Sequence, residues 1–295
     1  MDLAFSHPIG FMKQGEDVST IIESLTALFG ITRILTTFPE LQRFLNLKWV
    51  YRFLASKPSD DHGPGMIRGV AINEVKRRLQ QGVQSKEKDL LDRFLEYKDE
   101  TGNGFPRRDL EVESFTPVIA GPESVATILR VAVIYIIGTP RVYRKLQAEI
   151  DENRHSGTIS TPVSTPFPRT VPPEGANICG YFLPGGCDVG FSMWALGRNK
   201  TVFGEDVDCF RPERWFDTKE KIASYEKADL TFSAGLTTCL GRHIAMFEIH
   251  KTLFELFRNF EINLADPFVP CVADNILTFL VHDMPVYLNP RPGSN

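Results

Sequence analysis

The sequence is poor in cysteine, and the cysteine it has is not arranged to bind zinc or to build a disulfide framework. Cys179, Cys187, Cys209, Cys239 and Cys271 show no CxxC or CxxxH spacing, and their odd count predicts free thiols in a reducing compartment. An excess of positive charge is also missing. The 33 basic and 37 acidic side chains are mixed along the chain and give a net charge of −4, which argues against a nucleic-acid partner. Met1 to Phe5 carries no basic stretch followed by an apolar run, so no signal peptide is expected. The most apolar run, Val131 to Ile137, is far shorter than the ~20 residues of a bilayer span, so a chain without a membrane span is expected. No internal repeat is present. What remains is a globular composition, 42% hydrophobic and 24% charged over 295 residues, enough to bury a substantial core.

The texture of the chain changes along its length. Up to about residue 154 it is helical in pattern: Ser19–Leu28, Leu41–Ala55, Ile72–Gln81 and Lys86–Lys98 are amphipathic, and Asp99–Arg108 is a loop. The longest helical pattern runs from about Asp109 to Ile137 and stops at Gly138 and Pro140. Its second half is apolar on most sides, which predicts a central position. Arg141–Glu152 continues as another helix. From His155 to Ala176, Pro162, Pro166, Pro168, Pro172 and Pro173 exclude a helix. A β-hairpin is predicted over Asn177–Phe191, turning at Pro184-Gly185-Gly186, then a helix over Leu240–Asn259 and a strand-like tail over Ile276–Leu288. The fold class is mainly α with a minor β section after residue 165.

The most informative segment is Phe232-Ser-Ala-Gly235-Leu-Thr-Thr-Cys239-Leu-Gly241-Arg-His-Ile-Ala245. It puts a cysteine just before a helix, where backbone N–H groups favour a thiolate. Gly241 and Ala245 keep one helix face free of bulk, so a flat macrocycle can approach the backbone. Phe232 supplies an apolar wall beside the sulfur. Taken alone, Cys239 reads as a buried helix-start cysteine, a common occurrence. Five spaced positions, Phe-x-x-Gly-x-x-x-Cys-x-Gly-x-x-x-Ala, reverse that reading.

With this loop the sequence resembles the cytochrome P-450 family, and the resemblance extends over nearly the whole chain. Phe210-Arg211-Pro212-Glu213-Arg214-Trp215 looks like the family's Pro-Glu-Arg segment. Ala120-Gly121-Pro122-Glu123-Ser124 looks like the Ala-Gly-x-Asp/Glu-Thr motif of its long central helix. Arg141-Val142-Tyr143 through Glu149-Ile150-Asp151, and Val171-Pro172-Pro173 through Phe182-Leu183-Pro184-Gly185-Gly186, are most similar to microsomal members from filamentous fungi, such as the pisatin-demethylase-like group. The resemblance implies an incomplete cytochrome P-450 fold, its C-terminal part, as one domain over 1–295. It implies haem b (iron protoporphyrin IX) ligated by Cys239, with Phe232, Gly235, Gly241, Ala120 and Arg169 around it and Arg169 on a propionate. Glu123 and Ser124 would deliver protons to dioxygen, with Pro122 kinking the helix and Gly121 leaving room beside the kink. Electrons would come from NADPH through a cytochrome reductase, and one oxygen atom would enter a small lipophilic substrate, in fungal secondary metabolism. Family members are anchored in the endoplasmic reticulum facing the cytosol; without an anchor this chain is expected in the cytoplasm.

Three departures accompany the resemblance. The family's membrane anchor and early helices have no counterpart here. No Glu-x-x-Arg helix occupies the interval between Glu152 and Arg169, and Glu74-Val75-Lys76-Arg77 reads as chance on a solvated helix face. Without that partner, Arg214 is expected to turn to solvent and loosen its loop, because an unpaired buried charge costs ~3–5 kcal/mol. Thr237 stands where the family has a basic residue for a propionate. The competing reading is therefore a truncated relative without turnover, or one that only binds haem. His250 and Phe254 are expected to face the core, and Trp194 to pack beneath the sheet-rich section.

Overall fold

The computed structural model describes residues 2–6, 8–45, 47, 56–82, 88–151, 168–269, 271–275 and 279–292. The chain divides into two compact units, Met1–Glu123 and Ser124–Asn295, and the division falls inside a single long helix.

In the first unit, α1 (Ile21–Thr37) starts where the Asp17 carboxylate accepts the backbone N–H groups of Ile22 and Glu23, both at 3.0 Å. It is followed by α2 (Pro39–Leu45); the remainder of the helix predicted over 41–55 lies largely outside the described residues. α3 (Gly63–Gln81) packs against α1. Its buried residues Ile67, Ala71, Val75 and Arg78 recur at helical spacing and form one face. A Cβ at Gly65 or Gly69 would collide with the carbonyl oxygens of Lys57 and Pro58, so these glycines let residues 57–58 lie directly on the helix. α4 (Leu90–Glu96) begins in a capping box, with Asp89 accepting from the Asp92 N–H at 2.9 Å.

That cap is also half of a buried charge cluster. The Arg78 guanidinium, 3% exposed, donates to Asp89 at 2.6 Å and to Asp92, while Ser6 Oγ donates to Asp89 at 2.6 Å. Burial alone would raise the Asp89 pKa; hydrogen bonds from Arg78 and Ser6 outweigh it and hold the carboxyl below its usual range. Burial likewise works against the Arg78 charge, and the hydrogen bonds to Asp89 and Asp92 more than offset it, so its pKa is raised.

The long helix α5 (Arg107–Ile137) ends where the sequence predicts, with the Gly138 N–H on the Ile134 carbonyl at 2.8 Å. Pro117 and Pro122 both lie inside one unbroken helical run. In the second unit its buried residues Ile128, Ala132, Val133 and Ile136 pack with Ile150 of α6 (Pro140–Asp151) and Ile249, Leu253 and Phe257 of the last helix (Arg242–Asn259). The Tyr143 hydroxyl accepts the Ile262 N–H at 3.0 Å and ties α6 to the following strand. Between them lies α7 (Lys219–Ala228), and the last helix is α8.

The β section consists, among the described residues, of antiparallel pairs: β1 (Arg169–Thr170) with β4 (Asp188–Val189), β2 (Ala176–Ile178) with β3 (Tyr181–Leu183), β5 (Phe260–Leu264) with β8 (Val286–Pro290), and β6 (Val272–Asn275) with β7 (Phe279–His282). The predicted hairpin turns elsewhere than expected. Cys179 (φ 52) and Gly180 (φ 85) make the tight turn between β2 and β3, whereas Pro184-Gly185-Gly186 feeds β4 back onto β1. Two consecutive positive-φ residues match the right-handed strand twist, and a cysteine at the first of them gave no signal in the sequence. Trp194 lies beside Phe279 of β7, ring centroids 5.7 Å apart and tilted by 34°, and is half exposed.

Two helices have the length and hydropathy of a bilayer span, Val18–Leu35 and Arg107–Ile137, with window means of 1.4 and 1.5. Length and composition therefore do not exclude a span, contrary to the expectation drawn from the short run Val131 to Ile137.

Candidate functional site

The loop that leads into α8 is built around its backbone. Gly235 (φ 65) opens a single 3-10 turn, Gly235–Thr237; a Cβ there would meet nothing, so it is the left-handed backbone that requires glycine. The Cys239 N–H donates to the Phe232 carbonyl at 2.8 Å and closes the loop. α8 starts at Arg242 with Gly241 as its N-cap, so Cys239 lies just ahead of the cap. The Phe232 ring is half-buried, and the Arg242 guanidinium sits over it, 5.4 Å from the ring centroid.

Cys239 is not the buried cysteine of the bland reading. It is exposed, and between residues 236 and 247 the side chains of Leu236, Leu240, Ile244 and Phe247 are exposed as well, the two leucines fully. A Cβ on Gly241 would lie 3.9 Å from the Cys239 sulfur, an ordinary contact. Clustered uncovered apolar side chains of this kind mark a binding surface.

Arg169 is brought to this loop from 68 positions away. It pairs with Val189 across β1 and β4, and its Nη2 donates to the Thr237 hydroxyl. Thr237 Oγ1 lies 3.2 Å from Ser233 Oγ and donates to the Ala234 carbonyl at 3.2 Å. The sequence drew attention to Thr237 only as a missing cation; the hydroxyl's own partners gave no sequence signal.

On α5, Ala120, Gly121 and Pro122 are exposed, Glu123 is buried at 8% and Ser124 is half-buried. A Cβ on Gly121 would meet nothing within 4 Å, at an exposed position of the helix. Glu123 closes the first unit and Ser124 opens the second, on one continuous helix. A turn further, Thr127 Oγ1 donates to the Phe279 carbonyl of β7 at 2.8 Å, a contact without sequence signature.

Arg214 does not turn to solvent. It is 9% exposed and its guanidinium donates to the carbonyls of Phe203 at 2.7 Å and of Arg211, Asp206 and Cys209, each at 3.3 Å. The Phe203 carbonyl, at the end of a short helix, has no helical partner, and a planar fork of N–H donors reaches it and the neighbouring carbonyls at once. The neighbouring Glu213 pairs with Arg141 of α6. A cavity of about 180 Å³, bordered by Arg214, Trp194, Phe203, Phe210 and Trp215, lies beside the cage; Cys239 does not line it. Glu74 and Arg77 form a local pair at 2.8 Å within α3, as expected of a helix face. The interval read as lacking a Glu-x-x-Arg helix falls on 152–167, outside the described residues. His250 is exposed rather than core-facing, because the buried positions of α8 are Ile249, Leu253 and Phe257, one helical step away; Phe254 packs half-buried against that core.

These residues suit the thiolate-held haem that the resemblance implies. Cys239 is exposed, Leu236 and Leu240 beside it are exposed and apolar, and the Arg169 guanidinium reaches the same loop at Thr237. Among the described residues no cluster of three or more His, Cys, Asp or Glu is placed to hold a bare metal ion.

The comparisons with known proteins agree. A cytochrome P450 from Aspergillus terreus, named a monooxygenase, is 31% identical over 89% of this chain and 59% of its own length. Another from Botryotinia fuckeliana, named cytochrome P450 monooxygenase aba1, is 28% identical over 99% of this chain and 61% of its own. The chain thus spans about three fifths of the curated relatives it matches. Among solved structures, the haem domain of cytochrome P450DA superposes with a TM-score of 0.76 at 19% identity, covering 98% of this chain and 65% of that one. The family model for cytochrome P450 matches residues 1–289. The chain belongs to the cytochrome P450 family, of whose fold it forms a large part.

Proposed function

We propose that this chain carries the iron-ligating part of a haem-thiolate monooxygenase, with Cys239 as the ligand. The observation that carries the reading is the uncovered Cys239 sulfur in a loop whose spacing is the family's. Haem held there would supply activation of dioxygen and insertion of one oxygen atom into a lipophilic substrate.

The protein's own part is positional and electrostatic. Cys239, just ahead of the α8 N-terminus, would bind the iron through its sulfur and donate electron density to the metal. Leu236 and Leu240 would cover one face of the macrocycle and gain burial that they lack. Arg169 would take a carboxylate in charge-assisted hydrogen bonds. The Ser124 hydroxyl, both donor and acceptor, would pass a proton to the reacting oxygen, and the buried Glu123 beside it would resupply that proton. Electrons are assigned to an NADPH-dependent reductase. The fungal origin of the relatives supports a role in secondary metabolism and an association with membranes.

The competing reading, a relative without turnover, draws on the absent Glu-x-x-Arg helix, whose interval lies outside the described residues. The loosened Arg214 loop expected alongside it is not found, because backbone carbonyls hold that guanidinium. The test is turnover with a reductase and NADPH under isotopically labelled dioxygen, across a panel of lipophilic substrates. One labelled oxygen atom per product molecule is expected. Tight haem uptake with no labelled product from any substrate would make the chain a binder instead.

A further inference from the structure

The β6–β7 pair is short and stands by itself. Each strand has four residues, and among the described residues neither pairs with a further strand. A two-stranded pair of this kind is marginal on its own, so the side-chain contacts at its ends decide whether it holds. At the Phe279 end, the Thr127 hydroxyl of α5 donates to the Phe279 carbonyl at 2.8 Å, and Trp194 lies beside the Phe279 ring. At the other end His282 pairs with Val272, and Asp274 lies diagonally from it on the same face. The imidazole, 38% exposed, joins two carboxylates: Nε2 meets Asp274 at 3.0 Å and Nδ1 meets Asp283 at 2.9 Å. Asp283 turns the chain toward β8 with φ 54, a left-handed backbone uncommon in residues other than glycine.

We propose that His282 is a pH-sensitive latch of the β6–β7 pair: with the ring charged the pair is held on the central helix, and with the ring neutral the pair loosens and its bond to Thr127 weakens with it. Only the imidazolium carries a proton on both nitrogens. It alone can donate to Asp274 and Asp283 together; the neutral ring turns a lone pair toward one of the two carboxylates. The charged groups that reach the ring are Asp274 of β6 and Asp283 of the turn. The half-buried Cys271 precedes Val272 on the partner strand, and Glu123 and Arg130 of α5 flank Thr127, which meets β7 three residues from His282. Hydrogen bonds to Asp274 and then Asp283 raise the ring's pKa against the effect of burial. The latch is therefore closed below the ordinary histidine value and opens as pH rises through the raised one. Thr127 lies three residues past Ser124 on the same helix, so the latch acts beside the hydroxyl assigned to proton transfer. That bearing on turnover rests on the haem-thiolate reading; the latch itself does not.

The test follows amide hydrogen exchange of the whole chain from acid to alkaline pH, each rate divided by the intrinsic rate at that pH, with the β5–β8 pair as internal reference. Exchange in β6 and β7 should accelerate about fivefold as the ring loses its proton, the effect of losing one partly exposed ion pair, while β5 and β8 do not follow. His282→Gln, never charged, should exchange fast at every pH. His282→Arg, whose planar fork stays charged, should exchange slowly at every pH. Asp274→Asn should move the step to lower pH. Thr127→Val should accelerate β7 exchange at acid pH and add little at alkaline pH, where the bond it removes is already weakened. A native chain without the step, or a step of equal size in His282→Gln, would overturn the proposal. An equal effect of Thr127→Val at both ends of the range would also overturn it, since the clasp and the helix contact would then be independent. The readout involves no haem chemistry, so a thiolate spectrum that survives Cys239→Ser would refute the haem reading and leave the latch standing.

Discussion

Replacing Arg214 by methionine isolates what the carbonyl cage contributes. Methionine keeps much of the aliphatic stem and fills similar space, so little cavity forms, but every donor is lost. Four backbone carbonyls would lose a partner, one bonded at 2.7 Å and three at 3.3 Å, around a side chain that is 9% exposed. A single hydrogen bond to a charged group is worth about 1.5–3 kcal/mol, and the three longer ones are weaker and share the same guanidinium. The Asp206 carboxylate at 3.9 Å, 39% exposed, adds little. The Asp206 and Arg211 carbonyls keep backbone N–H partners at 2.9 and 3.2 Å, so the total is about 2–3 kcal/mol, most of it from the Phe203 bond. Urea denaturation of the holo chain, followed by tryptophan fluorescence, reads the loss near Trp215 and Trp194, which border the same cavity. Arg214→Lys, with one compact ammonium, should recover only part of it. A cost below about 1 kcal/mol for Arg214→Met would refute the reasoning, since it would mean that the cage is an arrangement without energetic consequence.

Three further outcomes follow from contacts elsewhere. Asp89 is held below its ordinary pKa by Arg78 and Ser6 against the effect of burial, so its contribution is present above the unfolded carboxylate value and is lost as pH falls through the folded one. Acid unfolding of the native chain should steepen there, and Asp89→Asn should remove that limb; an unchanged acid limb in the variant would contradict the assignment. His282 is clasped by Asp274 at 3.0 Å and Asp283 at 2.9 Å, which raises its pKa, so the clasp is complete at low pH and is lost as pH rises through the raised value. An NMR titration of its ring should show a midpoint above the usual ~6.5 that falls in Asp274→Asn. Thr127→Val should cost about 1 kcal/mol through the lost bond to Phe279, read as roughly fivefold faster hydrogen exchange in β7.

The long-range order of this fold was legible wherever periodicity or a rigid motif carried it. α5 ends at Ile137 because an apolar period meets glycine and proline, and both signals are local. Gly235 was readable because its left-handed backbone suits few residue types, and Cys239 stood out by its spacing from the flanking glycines. What escaped depends on atoms far apart in sequence. Arg214 was expected in solvent because only side-chain partners were considered, whereas backbone carbonyls, which every residue supplies, neutralise its donors. The Arg169–Thr237 tether joins positions 68 apart through a hydroxyl that any threonine could offer. His250 shows the angular sensitivity of a helix: one residue from Ile249 is a 100° step, enough to leave the core. The Cys179-Gly180 turn was missed because Pro184-Gly185-Gly186 is the stronger turn signal and serves a different pair of strands.

The central claim, that one sulfur just ahead of the last helix ligates haem iron, is tested most directly by the optical spectrum of the reduced, carbon monoxide-bound chain, native and Cys239→Ser. The native chain should show the strongly red-shifted Soret band of a thiolate ligand, and the serine variant should lose it. A red-shifted band that persists without the sulfur of Cys239, or that never forms in a native chain loaded with haem, would contradict the account.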